Sequence, residues 1–141
     1  MPGATVHFRM VFEMAGAEGM PPTDAETVAT ACINVDQLWP GSTKPWRHFN
    51  PTASLYWAPR YFREAFAARA DGERETALIR LGWAIHCRQD SIGHGVMGLS
   101  HLRYRLGILH RDPDDWAKMT PGARAAIERE TRSMLRTFMA S

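Results

Sequence analysis

Cysteine is scarce in this chain of 141 residues, which contains only Cys32 and Cys87. Two cysteines that do not form a CxxC pair exclude a disulfide framework, so we predict that both are reduced. The sequence also lacks a run of about twenty apolar residues, which a membrane-spanning helix requires. It lacks the basic and then apolar N-terminal stretch of a secretion signal. We therefore expect a cytoplasmic protein.

An excess of charge of one sign is also missing. The chain has 17 basic and 15 acidic residues, for a formal net charge of +2. Both signs are spread along the sequence, so no basic patch of the kind that follows a nucleic-acid backbone is visible. We expect no nucleic-acid partner and no membrane span, but a small-molecule substrate. Arginine is the main cation, and its guanidinium fork suits an anionic substrate. The oligomeric state stays open.

The alternation of apolar and polar residues that is typical of strands is absent from the sequence. Apolar residues make up 45% and charged residues 23% of the chain, which is typical of a folded protein. A chain of this length is the usual size of one domain. We predict a single all-α domain over residues 1–141, a compact bundle of about five or six helices.

The positions of the helices follow from apolar periodicity and from residues that begin or end helices. We predict a capping box at Thr23 and Glu26, a first-turn proline at Pro59, a C-cap at Gly72 and an N-cap at Thr120. Residues 34–51 contain three prolines and no sustained period, and are predicted to form a long packed loop. The predicted helices cover residues 6–15, 23–32, 59–71, 73–89, a segment ending near 109, and 121–138.

The six histidines are the most informative residues of the chain. His86 and Asp90 are four residues apart on one predicted helix, so their side chains share a face and are able to bind one ion. A pair at this spacing also forms simple surface hydrogen bonds. His94 follows four residues later, between Gly93 and Gly95, where a backbone without side chains can bend around a ligand. The alternative is a polar helix end that faces solvent.

The other histidines are open to more than one interpretation. His110 and Asp114 repeat the spacing, although His110 also suits a cation near a helix C-terminus. His7 lies on the apolar face of the first helix, where a core position is the alternative to a metal ligand. Asp36 and His48 lie in the aromatic-rich loop, where a sheltered aspartate needs a partner such as a metal ion.

Taken in their order along the chain, the candidate histidines and aspartates resemble the ligands of the zinc-dependent phospholipase C and P1 nuclease superfamily. That superfamily has an all-α fold around a cluster of zinc ions. Residues 6–11 are similar to its first ligand helix, and Asp36 followed by residues 48–51 is similar to its HF-x-x-P-like loop. Residues 81–90 are similar to its LG-x-x-x-H-x-x-x-D helix, and His94 to its next histidine. The resemblance covers about residues 6–114.

The resemblance implies two adjacent sites at the centre of the fold. His48, His86 and Asp90 would hold one zinc ion, and Asp90 would bridge to a second ion that also takes His7. Imidazoles and carboxylates are suitable zinc ligands. They also bind iron and manganese, so neither of these metals is excluded, and one to three ions are expected.

The resemblance also implies a third site and a catalytic residue. His94, His110 and Asp114 would hold the third ion, with His101 as the alternative to His110. Asp36 would orient or deprotonate the attacking water. The function implied is hydrolysis of a phosphoester or a related small molecule. A cyclase, dehydratase or lyase on the same fold and a non-enzymatic binding module are the alternatives.

Overall fold

The computed structural model describes residues 2–34, 51–93 and 120–141, with side chains described for residues 7–34, 56–90, 92 and 120–141. Within these ranges the chain forms five helices and no strand. The all-α prediction is therefore confirmed. Residues 35–50 of the predicted loop and the predicted helix that ends near residue 109 lie outside the described residues, and the two end residues of that loop, Asn34 and Pro51, belong to helices. The helices are α1 (Pro2–Ala17), α2 (Pro22–Asn34), α3 (Pro51–Ala70), α4 (Arg74–Gly93) and α5 (Pro121–Ala140).

Two glycines with positive φ end helices α1 and α3. Gly72 has φ 78°, and its N–H donates to the carbonyl of Arg69 at 3.1 Å. The next N–H, of Glu73, donates to the carbonyl of Ala68 at 2.8 Å. This pair of bonds is the Schellman motif, which needs a left-handed residue that glycine adopts without strain. The predicted C-cap at Gly72 is confirmed, and the same motif ends α1 at Gly19.

The start of α5 follows the prediction. The Thr120 hydroxyl accepts a hydrogen bond from the N–H of Ala123 at 3.1 Å, and Pro121 occupies the first turn. The threonine satisfies one of the main-chain donors that a helix leaves open at its N-terminus, and the proline lacks such a donor.

The predicted capping box of α2 was wrong. The helix begins at Pro22, one residue before Thr23, and the N–H of Ala25 donates to the carbonyl of Pro21 at 2.9 Å. Proline has a fixed φ that suits a helix, and it lacks the N–H that would have no partner at the first helical position. Pro22 is therefore favoured as the first residue of α2. Thr23 therefore lies within the first turn, where its side chain cannot act as the N-cap.

The predicted first-turn position of Pro59 was also wrong. Helix α3 begins at Pro51, so Pro59 lies in its interior. An interior proline removes one main-chain hydrogen bond and costs about 3 kcal/mol or more. Burial of Ala58, Tyr61 and Ala65 along the inner side of α3 offsets this cost.

Helix α4 is the centre of the described fold, because it contacts α2, α3 and α5, while α1 packs on α2 and α5. The side of α4 that faces the core carries Ala77, Leu78, Leu81 and Ile85, which are all buried. Both cysteines are buried and neither is in a disulfide, as predicted. None of the described helices has the length and apolar character needed to cross a membrane.

Helices α2 and α4 approach each other closely at Gly82. A Cβ atom added to this glycine would lie 2.6 Å from the Val28 carbonyl oxygen, 2.7 Å from the Ala31 Cβ and 3.0 Å from the Cys32 nitrogen. Two of these three atoms belong to the main chain of α2, which cannot rotate away as a side chain can. The absence of a side chain at Gly82 therefore sets the distance between the two helices.

Candidate metal centre

His86 and Asp90 form a close and mostly buried pair on α4. The His86 Nε2 atom lies 3.0 Å from the Asp90 Oδ2 atom, and the two side chains are 10% and 15% exposed. Helix α4 continues to Gly93, beyond the predicted end at residue 89, so Asp90 lies within the helix. The predicted arrangement of the two side chains on one face is confirmed.

The distance within the pair is compatible with two kinds of interaction. Two zinc ligands, each about 2.0–2.2 Å from the ion, lie roughly 3.3–3.6 Å apart in tetrahedral geometry. The observed 3.0 Å is only a few tenths of an ångström shorter. The same distance also suits a direct hydrogen bond or ion pair. The donor atoms therefore fit one zinc ion after a small adjustment of the side chains.

His7 lies on α1 and is half-buried. Met10, Val11 and Met14 on the predicted apolar face of this helix are buried. Among the residues the structure describes, no group of three or more histidine, cysteine or acidic side chains could hold an ion. The remaining candidates lie outside the described residues: Asp36, His48, His94, His101, His110 and Asp114.

An aromatic cluster lies beside His86 on the side of α3. The ring of Trp83, three residues before His86, packs edge-on against Tyr61 at a centroid distance of 5.3 Å, and Tyr61 lies 5.4 Å from Trp57. The Arg80 guanidinium stacks over Trp83 at 4.3 Å. These rings place an aromatic face on α4 about one helical turn before His86.

A buried polar bridge on the other side of α4 joins three helices, and the sequence did not predict it. The Gln89 side-chain amide donates to the Thr131 hydroxyl of α5 at 2.9 Å, and its oxygen accepts from the Cys32 thiol of α2 at 3.6 Å. The three residues are 4%, 1% and 0% exposed, in that order. The partners are 42 and 57 residues from Gln89 in the chain, so no local pattern could identify them.

One charged contact also lies next to the pair. Arg88, also on α4, is half-buried. Its Nε atom lies 3.4 Å from the Glu130 Oε2 atom of α5. This contact is partly exposed, so solvent weakens it and its contribution to stability is small. Arg88 thus adds to the contact between α4 and α5 that the buried bridge makes.

The chain matches no protein-family model, no curated protein and no solved structure. The function is therefore inferred from the residues themselves and from their placement in the fold.

Proposed function

We propose that this protein is a metal-dependent hydrolase, with zinc as the ion, that cleaves a phosphoester or a related bond in a small molecule. The observation that carries the proposal is the pair of His86 and Asp90, whose donor atoms lie 3.0 Å apart. Both are common zinc ligands, and both are held on the central helix of the bundle.

The order of the candidate ligands along the chain supports the same proposal. His7, His48, His86, Asp90 and then His94 resemble the ligands of the zinc-dependent phospholipase C and P1 nuclease superfamily, and the described residues are all-α, as that resemblance implies. Two ligands do not complete a zinc site, which usually takes three or four. We propose that His48 completes the site of the pair, and that His7, His94, His110 and Asp114 contribute to one or two further ions.

Each residue has a distinct role in the proposed hydrolysis. A bound zinc ion supplies Lewis acidity and makes water more acidic, to a pKa of about 7. His86 and Asp90 hold the ion on a rigid helix, which fixes its position relative to the substrate. Asp36 accepts the proton of the attacking water or orients it. The substrate is a small anionic metabolite, in line with the absence of a basic patch and the abundance of arginine.

The test is metal analysis of purified protein by elemental mass spectrometry, together with an assay on an activated phosphodiester. We expect at least one zinc ion per chain in the wild type, and loss of metal and activity when His86→Ala and Asp90→Ala are combined. The matched control combines Arg60→Ala and Glu64→Ala, an exposed ion pair of the same spacing with a distance of 3.2 Å. Absence of stoichiometric metal from the wild type would refute the proposal. Hydrolysis in heavy-oxygen water labels the product, whereas cyclisation does not.

A non-enzymatic module is the second candidate, and the direct contact between His86 and Asp90 favours it. At 3.0 Å the two side chains can form an ion pair without a metal ion. In that case the pair only stabilises α4. The combined His86→Ala and Asp90→Ala variant would then be less stable but would bind any ligand as tightly as the wild type.

A further inference from the structure

We infer that Gln89 is a positioning residue, which fixes the rotation of α4 and thereby the direction in which His86 and Asp90 point. The inference rests on the proposed function, because it assigns Gln89 a role at that site. Gln89 follows His86 by three residues and immediately precedes Asp90. It lies roughly 60° around the helix from His86, so it faces different neighbours.

The bridge of Gln89 is directional in a way that apolar packing is not. Its amide group must face Thr131 on one side and Cys32 on the other to keep both hydrogen bonds, of 2.9 Å and 3.6 Å. A buried amide that loses its partner is destabilised, so rotation of α4 away from this arrangement is unfavourable. The bridge therefore selects one rotation of α4 relative to both α2 and α5.

A second contact, at Gly82, holds α4 on the N-terminal side of His86. Gly82 lies against the main chain of α2, where an added Cβ would be 3.0 Å from the Cys32 nitrogen. Cys32 is thus next to α4 at Gly82 through its main chain and at Gln89 through its thiol. His86 lies between these two positions in the sequence. The contact at Gly82 limits how far α4 can move toward α2 or slide along it, and the bridge at Gln89 limits its rotation.

Such control matters because a metal site tolerates little displacement. Functional side chains must be held to within about 0.5 Å and about 10–20° of their working geometry. Loss of hydrogen bonds that orient metal ligands typically weakens metal affinity by about 10–100-fold. The apolar contacts of α4 alone would permit small rotations, since alternative side-chain packings often differ little in free energy.

The experiment compares Thr131→Val, which removes the acceptor hydroxyl but keeps the shape, with Thr131→Ser, which keeps the hydroxyl. Zinc affinity is measured by competition with a chelating dye, and the contacts of α4 with α2 and α5 are measured by NMR in the metal-free protein. We expect Thr131→Val to weaken zinc binding by about tenfold or more, and Thr131→Ser to leave it unchanged. Ile127→Val, a small loss of buried volume on α5, controls for lower stability and should bind zinc normally.

The outcomes separate this inference from the proposed function. Equal zinc affinity in Thr131→Val and Thr131→Ser would overturn the role of Gln89, and so would an equal loss in Ile127→Val. If the wild type binds no zinc, the proposed function fails, and the NMR measurement alone tests the role of Gln89. Unchanged contacts of α4 in Thr131→Val would then overturn the inference, whereas changed contacts would support it. If Thr131→Val does not fold, Gln89→Met combined with Thr131→Val removes both polar partners and is measured in the same way.

Discussion

Replacing Gly82 by alanine tests the close approach of α2 and α4. The new Cβ would lie 2.6 Å from the Val28 carbonyl oxygen and 2.7 Å from the Ala31 Cβ. Favourable contacts between non-bonded heavy atoms lie at about 3.5–4.0 Å. The helices would therefore have to separate by several tenths of an ångström or more, because the main chain of α2 has no other way to move aside. Separation also loosens the packing of the buried residues between them.

The expected magnitude combines two opposing effects. Alanine is more favourable than glycine in a helix by about 0.8–1.0 kcal/mol. Overpacking of a core costs about 1–3 kcal/mol, and the rigid neighbours of Gly82 place this substitution near the upper end. The net loss in the free energy of unfolding is then about 2 kcal/mol. For a chain of this size the melting temperature should fall by roughly 4–8 °C.

Urea unfolding followed by circular dichroism measures this change, with a chelator present so that bound metal does not stabilise the folded state. Gly16→Ala is the matched control, because Gly16 lies in α1 and an added Cβ there meets nothing within 4 Å. We expect this control to be as stable as the wild type or more stable by up to about 1 kcal/mol. If Gly82→Ala also matched or exceeded the wild type, the close approach of the two helices would be refuted.

Two further predictions concern surface contacts. Arg69 donates a hydrogen bond to the Phe138 carbonyl and stacks over the Phe138 ring at 4.8 Å. Arg69→Ala should therefore lower the free energy of unfolding by about 1 kcal/mol. A urea titration measures this change, and an unchanged midpoint would contradict the prediction. A hydrogen bond from Arg136 holds the pKa of Glu18 below its usual value of 4.5. Because the folded pKa is the lower one, Glu18 stabilises the fold above that value, and this contribution is lost as the pH falls through the lowered pKa. Glu18→Gln should therefore be less stable than the wild type at about pH 7, and the difference should shrink as the pH falls below 4.5. A difference independent of pH would count against the ion pair.

Much of the fold was predictable because its helices have strong local signals. Thr120 before Pro121, and Gly72 after a periodic segment, act through main-chain hydrogen bonds within a few residues, so the sequence alone identifies them. Pro59 misled the prediction because local preference places proline in the first turn. Burial of neighbouring residues on α3 overrides that preference.

The candidate site was predictable only in part. The spacing of His86 and Asp90 identified their shared face, because helix geometry determines it locally. The bridge from Gln89 to Thr131 and Cys32 depends on how three helices pack, and no local pattern encodes it. The roles of the other candidate ligands rest on the resemblance and stay predictions.

The most direct test of the central claim is a crystal structure with anomalous scattering measured at the zinc edge, from crystals grown with zinc. We predict an anomalous peak about 2.0–2.2 Å from both the His86 Nε2 atom and the Asp90 Oδ2 atom, with further ligands around the ion. Crystals that show no peak at this pair, with His86 and Asp90 still in direct contact at 3.0 Å, would contradict the claim.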